Sequence, residues 1–278
     1  VTKARLCAKG FQEGDNMYKD SPTVSRVGLR LVFGIAVAKG WKVGAIDAKS
    51  AFLQGEKMTR EVLIKPPSEA GDKGKLWLLL KCLYGLKDAP RMWWLRLDAA
   101  LKKLGCKVST YDKSLYYRLN KDGELEGLMA VHVDDVLYAG EYQFNMEVTG
   151  GLLETFTMGE PEGTRFFYTG WHVQQTEEAM VVDQDRYLEE MDDIDTTKYW
   201  GEKNQEEEAG TEEQKTYRRG IGQLSWHVRA TRPELCAEVS ELATGMGKAS
   251  KAQYRQLARL VKKAKGGRPR VRYGNAGD

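Results

Sequence analysis

Three aspartates stand at the ends of apolar segments in this sequence. Asp47 closes the apolar residues 41–47, and the pair Asp134-Asp135 separates the apolar residues 128–133 from 136–139. Carboxylates in such positions are costly unless they are solvated, hydrogen-bonded or bound to cations, and adjacent carboxylates also repel each other. Mg²⁺ prefers a few carboxylates plus substrate phosphates, and two such ions can activate an attacking 3′-hydroxyl and stabilise a leaving pyrophosphate. The alternative for each aspartate is an ordinary residue of a polar turn.

The elements that must position these aspartates are strands mixed with helices. Residues 41–47 read as a strand that ends on Asp47, and Asp134-Asp135 are expected at the tip of a tight hairpin. The other predicted elements are helices at 27–39, 91–104, 152–156, 217–230, 234–243 and 252–265, and strands at 61–65, 76–80, 115–119, 128–133, 136–139 and 166–173. The pattern indicates an α+β protein with a helical C-terminal third.

The composition narrows the class of protein. Of the 278 residues, 41% are hydrophobic and 30% are charged, which is typical of a globular protein. The four cysteines and three histidines are scattered and predict no zinc site, and the cysteines are expected to be reduced.

The sequence shows neither a signal peptide nor an apolar run long enough to cross a membrane, so a cytoplasmic location is expected. It also lacks an initiator Met and reads as an excerpt of a longer product.

The charges are unevenly distributed along the chain. Residues 1–120 carry 23 Lys and Arg against 11 Asp and Glu, and residues 216–278 carry 14 against 4. The intervening residues 121–215 carry 6 against 25. Two basic ends around an acidic middle suggest contact with a polyanion from two lobes, although solvated surfaces of opposite charge are the alternative.

Ten short motifs follow one another in a recognisable order through nearly the whole chain. They are KARLCAKGFQ (3–12), DSPTVSR (20–26), IDAKSAFLQGE (46–56), LYGLKDAPRMW (83–93), VHVDDVL (131–137), FTMG (156–159), FYTG (167–170), IGQLSW (221–226), ATRPEL (230–235) and LVKKAKG (260–266). In this order they resemble the reverse transcriptase of copia-type LTR retrotransposons, the polymerase portion of a pol polyprotein.

The resemblance implies a right-hand polymerase architecture. It assigns residues 1–30 and 54–88 to N-terminally truncated fingers and residues 31–53 and 89–175 to the palm. Residues 176–278 would form the helical thumb or connection, with an acidic linker at about 192–213. The palm would contain the antiparallel sheet.

The resemblance also implies roles for individual residues. Asp47, Asp134 and Asp135 match the catalytic carboxylates that hold two Mg²⁺ ions, for which Mn²⁺ is a possible substitute. The residues implied to bind the incoming nucleotide are Lys3, Arg5, Ala51, Phe52, Tyr84, Gly85 and Lys87, and Phe52 would crowd the sugar 2′-position. The implied primer grip is Thr169, Gly170 and Trp171. The residues implied to contact the nucleic-acid backbone are Arg255, Arg259, Lys262, Lys263 and Lys265.

The activity implied by the resemblance is template-directed DNA synthesis from dNTPs by two-metal nucleotidyl transfer. Its partners would be an RNA or DNA template-primer, dNTPs and the integrase and RNase H parts of the polyprotein. No membrane is implied, and the cytoplasmic location could include virus-like particles. The chain departs from the family at His132, where Tyr is usual, and at Asp88, where Gln is usual and a negative charge would lie near a phosphate-handling loop. Two alternatives are an inactive or domesticated fragment that still binds nucleic acid, and a metal hydrolase unrelated to nucleic acids.

Overall fold

The computed structural model describes residues 5–14, 17–199 and 204–274, and these form two compact units. The first unit runs to Thr169, and the second is Gly170–Gly274. Helices and antiparallel strands are mixed in the chain, so the predicted α+β class is confirmed. Within the described ranges, no helix combines the length and apolarity needed to cross a bilayer.

The first unit is built on an antiparallel sheet of six strands. Its elements are α1 (Arg26–Ala38), β1 (Lys42–Asp47), β2 (Leu63–Ile64), β3 (Trp77–Leu78), α2 (Ala89–Lys103), β4 (Lys107–Val108), β5 (Leu115–Leu119), β6 (Leu125–His132), β7 (Asp135–Gly140), α3 (Tyr142–Thr155), β8 (Glu162–Gly163) and β9 (Arg165–Tyr168). The strand order is β4-β5-β6-β7-β1-β8, and β2 pairs with β3 in a separate ribbon. Strand β1 therefore lies inside the sheet, between β7 and β8.

The burial of β1 explains its apolar sequence. Its four inner residues are all buried, whereas the charged residues at its two ends, Lys42 and Asp47, are exposed. Side chains from α2, α3 and the sheet, including Trp93, Phe144, Tyr116 and Met129, form the main core of this unit. The site aspartate thus terminates a strand that is held by packing along its length.

Two predicted elements of this unit differ in extent from the structure. Helix α3 spans Tyr142–Thr155 and so begins ten residues before the predicted 152–156. The weak helix formers Gly150-Gly151 interrupt its pattern just before residue 152, so the prediction missed the turns that precede them. Residues 166–173 do not form one strand, since Thr169 and Gly170 both have positive φ angles, 47° and 80°, and make a turn between β9 and the next strand.

The second unit contains strands as well as the predicted helices. Its elements are β10 (Trp171–Gln175), β11 (Ala179–Asp183), α4 (Asp185–Glu190), α5 (Thr211–Ala230), α6 (Cys236–Ala243), α7 (Lys251–Lys265) and β12 (Val271–Gly274). Strand β11 pairs antiparallel with both β10 and β12. Helix α7 begins with a capping box between Ser250 and Gln253, and its apolar face joins α5 and α6 in one core. The sheet β10-β11-β12 is an addition to the predicted helical third.

The acidic segment predicted as a linker lies within the second unit and is packed there in its described parts. Tyr199 and Ala209 are buried. The amide of Ala209 donates to the carbonyl of Ala249 (2.9 Å), and the amide of Lys251 donates to that of Glu207 (2.8 Å). The glutamates remain solvated or pair with lysines, as Glu208 does with Lys248. This acidic segment therefore forms backbone hydrogen bonds and contributes two buried side chains, those of Tyr199 and Ala209.

Candidate active site

Two of the three aspartates face each other across neighbouring strands. Strand β1 pairs antiparallel with β7 in a register that sets Asp47 directly opposite Asp135. The third, Asp134, is held beside them because its carbonyl oxygen accepts a hydrogen bond of 2.9 Å from the amide of Ala48. The sheet thus brings together carboxylates that lie almost ninety residues apart in sequence.

The turn between β6 and β7 consists of Val133 and Asp134, and Asp135 is already the first residue of β7. The predicted hairpin is present, but only Asp134 lies on its tip. Val133 has a φ of 58°, a strained angle for a β-branched residue. The buried Trp93 of α2 donates from Nε1 to the Val133 carbonyl oxygen at 2.7 Å. This bond fixes the turn that carries Asp134.

The aspartates repel one another. Burial, together with the negative charges of Asp134, Asp47 and Glu162, raises the pKa of Asp135 to about 6. Burial lowers the pKa of His132, although the charge of Asp134 opposes this effect. Burial thus disfavours the charged form of His132, which would otherwise offset part of the negative charge of the three carboxylates.

The chemistry of these side chains suits a hard divalent cation. Asp47 and Asp134 are exposed and Asp135 is half-buried, so their oxygens are available to a cation that would relieve the repulsion. Within the described ranges, no group of three or more His, Cys, Asp or Glu side chains is arranged so that it could hold a metal ion by itself. The three aspartates could hold Mg²⁺ with ligands from a substrate completing the coordination.

A cavity of about 510 Å³ opens beside the exposed aspartates. Asp47 and Asp134 supply negative charge to its wall. Arg5 supplies a positive charge, and Tyr84 supplies an aromatic ring. The Arg5 guanidinium carbon lies 4.5 Å from the centre of the Tyr84 ring, a cation–π contact. The remaining lining residues in the described chain are Leu6, Ala48, Lys49, Ser50, Leu53 and Leu83. Lys3 lies outside the described residues.

Phe52 lies behind this cavity. A short 3₁₀ turn, Ala51–Gln54, follows Ser50, whose φ is 53°. Ala51 is buried, and the Phe52 ring, half-buried, lies 5.0 Å from the Tyr84 ring. Among the described residues that line the cavity, Ser50 and Leu53 are present but Ala51 and Phe52 are not. Phe52 therefore adjoins the cavity through Tyr84.

The loop of Tyr84, Gly85 and Lys87 is attached to the N-terminal segment. The amide of Ala8 donates to the Tyr84 carbonyl at 2.7 Å. Gly85 has a φ of 90°, and a Cβ there would overlap the Ala8 carbonyl oxygen, so only glycine permits this approach. The Lys87 ammonium donates to the Glu13 carbonyl at 2.7 Å. Lys87, implied to bind nucleotide, thus contacts the N-terminal segment.

Asp88 does not add free negative charge to this loop. Its carboxylate is 5% exposed and is bound in fork geometry by Arg60, at 2.9 Å from Nε and 2.8 Å from Nη2. Arg60 also donates to Glu13 at 2.7 Å. Burial would raise the pKa of Asp88, but the hydrogen bonds and charge of Arg60 outweigh it and hold that pKa below its usual range. The sequence alone does not reveal this pairing because Arg60 and Asp88 are 28 residues apart.

The implied primer-grip residues occupy a turn and the strand after it. Thr169 and Gly170 are the two turn residues, and Trp171, 2% exposed, begins β10. A Cβ at Gly170 would come within 3.7 Å of the Trp226 indole, an ordinary contact.

The five residues implied to contact the nucleic-acid backbone all lie on α7 and separate into two groups. Arg255, Arg259 and Lys262 share one face of the helix and line a cavity of about 490 Å³. In the described chain, the buried Nε and Nη2 atoms of Arg255 have no hydrogen-bond partner. In contrast, Lys263 pairs with Glu238 (2.6 Å) and Lys265 pairs with Asp193 (2.8 Å). Among the described residues, Arg255, Arg259 and Lys262 form no such ion pair, although Asp193 also lines their cavity.

Comparison with known proteins identifies the family. Residues 1–203 match the family described as "Reverse transcriptase (RNA-dependent DNA polymerase)". The chain is 33% identical over 192 residues to the retrovirus-related Pol polyprotein from transposon RE2 of Arabidopsis thaliana, and 32% identical over 193 residues to that from transposon RE1. It is 28% identical over 196 residues to the polyprotein from transposon TNT 1-94 of Nicotiana tabacum.

These alignments cover 66%, 67% and 67% of this chain, but only 13%, 13% and 14% of the respective relatives. The match of 203 residues is nevertheless well over half of the chain. The chain therefore belongs to the reverse transcriptase family, in its copia-type group, as the ordered motifs predicted. The relatives are parts of Pol polyproteins.

Proposed function

We propose that this chain catalyses template-directed DNA synthesis as the polymerase part of a copia-type reverse transcriptase. The observation that carries the proposal is the register of β1 and β7, which sets Asp47 opposite Asp135 with Asp134 on the adjoining turn. Its substrates are an RNA or DNA template-primer and dNTPs, and its neighbours in the polyprotein are integrase and RNase H. In this proposal, residues 1–30 and 54–88 are fingers, 31–53 and 89–175 palm, and 176–278 thumb or connection.

The reaction joins the primer 3′-oxygen to the α-phosphorus of the incoming dNTP and breaks the bond from that phosphorus to the pyrophosphate. Asp47, Asp134 and Asp135 would hold two Mg²⁺ ions, which when bound would supply positive charge that favours the deprotonated 3′-hydroxyl and the leaving pyrophosphate. Arg5 lines the same cavity as Asp47 and Asp134, and its planar guanidinium suits the triphosphate. The Tyr84 ring, which contacts the Phe52 ring in a tilted arrangement, supports the sugar and base.

Primer extension on poly(rA)/oligo(dT) with Mg²⁺ or Mn²⁺ tests this proposal, with an N-terminally extended chain measured alongside. Asp134→Asn removes a charge but little volume, and it is expected to abolish synthesis while the protein still folds. Asp122→Asn is the matched control, since Asp122 is an exposed turn aspartate of the same unit. Activity of Asp134→Asn above about 5% of the parent chain would refute two-metal catalysis by these carboxylates.

A second candidate function is nucleic-acid binding without synthesis. The unpartnered buried nitrogens of Arg255 and the cationic face of α7 favour it, because these groups need no metal to bind phosphates. A chain that binds a primer-template duplex but extends no primer, even with its N-terminal extension, would support this candidate.

A further inference from the structure

Gly159 lies against the backbone and the carboxylate of Asp47. Its amide donates a hydrogen bond of 2.7 Å to the Asp47 carbonyl oxygen. A Cβ at position 159 would overlap the Asp47 carboxylate oxygen Oδ1, at a separation well under the 3.0 Å that real Cβ atoms require. The carboxylate therefore occupies the space that a side chain at position 159 would take.

The backbone around Gly159 is tied firmly to the segment after β1. Ala48 forms an antiparallel bridge with Met158, and the amide of Lys49 donates to the Thr157 carbonyl at 2.9 Å. The Gln54 side chain joins both segments: its Nε2 donates to the carbonyls of Lys49 (2.7 Å) and Thr157 (3.0 Å), and its Oε1 accepts from the Thr157 amide (2.7 Å). A larger residue at position 159 cannot easily move away, so the Asp47 carboxylate would have to move.

The need for glycine at this position comes from space and not from backbone conformation. Gly159 is not among the glycines with positive φ, so alanine can adopt its backbone angles. Asp47 is exposed, and its side chain can rotate into solvent without breaking a packed core. An alanine at position 159 would consequently redirect the carboxylate at little cost in stability.

We propose that Gly159 is a positioning residue that sets the direction of the Asp47 carboxylate toward a divalent cation. The inference rests on the proposed function, in which Asp47 is a metal ligand. Residues that orient a ligand typically affect metal affinity about 10- to 100-fold when they are changed. Gly159 would act by leaving room, and it would touch neither metal nor substrate.

The test compares Gly159→Ala with Gly163→Ala. Gly163 lies four residues further on, also without a positive φ, and a Cβ there would meet nothing within 4 Å. Mn²⁺ binding is measured by electron paramagnetic resonance, and thermal unfolding is measured without metal. We expect Gly159→Ala to lower Mn²⁺ affinity about tenfold or more while the melting temperature changes little, and Gly163→Ala to leave both unchanged.

A double-mutant cycle with Asp47→Asn tests whether Gly159→Ala lowers Mn²⁺ affinity through the Asp47 carboxylate or in another way. If Gly159 acts through the Asp47 carboxylate, Gly159→Ala should reduce Mn²⁺ affinity no further in the Asp47→Asn background. Additive losses, or an unchanged affinity in Gly159→Ala alone, would overturn the positioning role and leave the proposed function standing. A parent chain that binds no Mn²⁺ even with primer-template and dNTP present would overturn both.

Discussion

The indole N–H of Trp93 bonds the carbonyl oxygen of Val133 at 2.7 Å, and so a buried residue of α2 holds the strained turn that carries Asp134. Because the φ of Val133 is unfavourable for valine, the surrounding structure must maintain it. The geometry of the aspartates therefore depends on a residue that is distant from them in sequence and has no charge.

Trp93→Phe keeps an aromatic ring in the core and removes the donor. We expect the free energy of unfolding to fall by about 1–3 kcal/mol and primer extension to slow, since the turn loses its anchor. Trp77→Phe is the control, because it removes an indole N–H that donates to Asp72 in the β2–β3 ribbon. Urea unfolding and extension rates are measured for both variants. An equal effect on extension would show that the Val133 bond has no special role.

The raised pKa of Asp135 predicts a pH-dependent penalty on stability. Its folded-state pKa of about 6 lies above the ordinary value of 3.8, so ionisation costs stability as the pH rises through about 6. Without divalent metal, Asp135→Asn should raise the free energy of unfolding by about 2 kcal/mol at pH 7.5, and by much less at pH 4.5. Urea unfolding in EDTA at the two pH values measures this difference. A gain of equal size at both would exclude the electrostatic cause.

The cationic face of α7 predicts the salt dependence of nucleic-acid binding. Changing Arg255, Arg259 and Lys262 to Gln should flatten the slope of log Kd against log salt concentration, because fewer counterions are released. Changing Lys263 and Lys265 to Gln is the control, and it should alter the slope less because these lysines already pair with Glu238 and Asp193. Fluorescence anisotropy with a primer-template duplex gives both slopes. Equal slopes in the parent and the first variant would remove this face from the contact surface.

Phe52 is the residue implied to crowd the sugar 2′-position, and its ring contacts Tyr84, which lines the cavity beside the aspartates. Phe52→Val should raise ribonucleotide incorporation relative to deoxyribonucleotide incorporation at least about tenfold, since a smaller side chain leaves room for a 2′-hydroxyl. Phe144→Val is the matched control: Phe144 lies in the core of the same unit, and its loss should reduce both substrates together. The measurements are kcat/KM for a matched nucleotide pair and a thermal melt. An unchanged ratio with a lower melting temperature would mean that Phe52 only packs.

The buried pair of Arg60 and Asp88 predicts a large stability effect away from the aspartates. Arg60→Met should cost about 3 kcal/mol, because it leaves the buried Asp88 carboxylate without its cation. Arg186→Met is the control, because it removes an exposed pair with Glu190 and should cost under about 0.5 kcal/mol. Urea unfolding at pH 7 measures both. Equal costs would show that the Asp88 carboxylate is solvated after all.

Much of the fold was predictable because its signals are local. The periodic apolar residues of α1, α2 and α5–α7 and the continuous apolar run of β1 report burial over a few turns or one strand. The early start of α3 and the strands of the second unit were missed because their patterns are short or interrupted by glycine. The family was also predictable, because the motifs and their order can be read directly from the sequence.

The sequence by itself determined the three aspartates, their positions at the ends of apolar strands and the family to which the chain belongs. Only the tertiary structure decided that Asp47 faces Asp135 and that Arg60 neutralises Asp88. It also decided which cations of α7 pair with a carboxylate, as Lys263 and Lys265 do. These relationships join residues that are tens of positions apart in sequence. Local periodicity carries no information about such contacts, because they depend on the path of the folded chain.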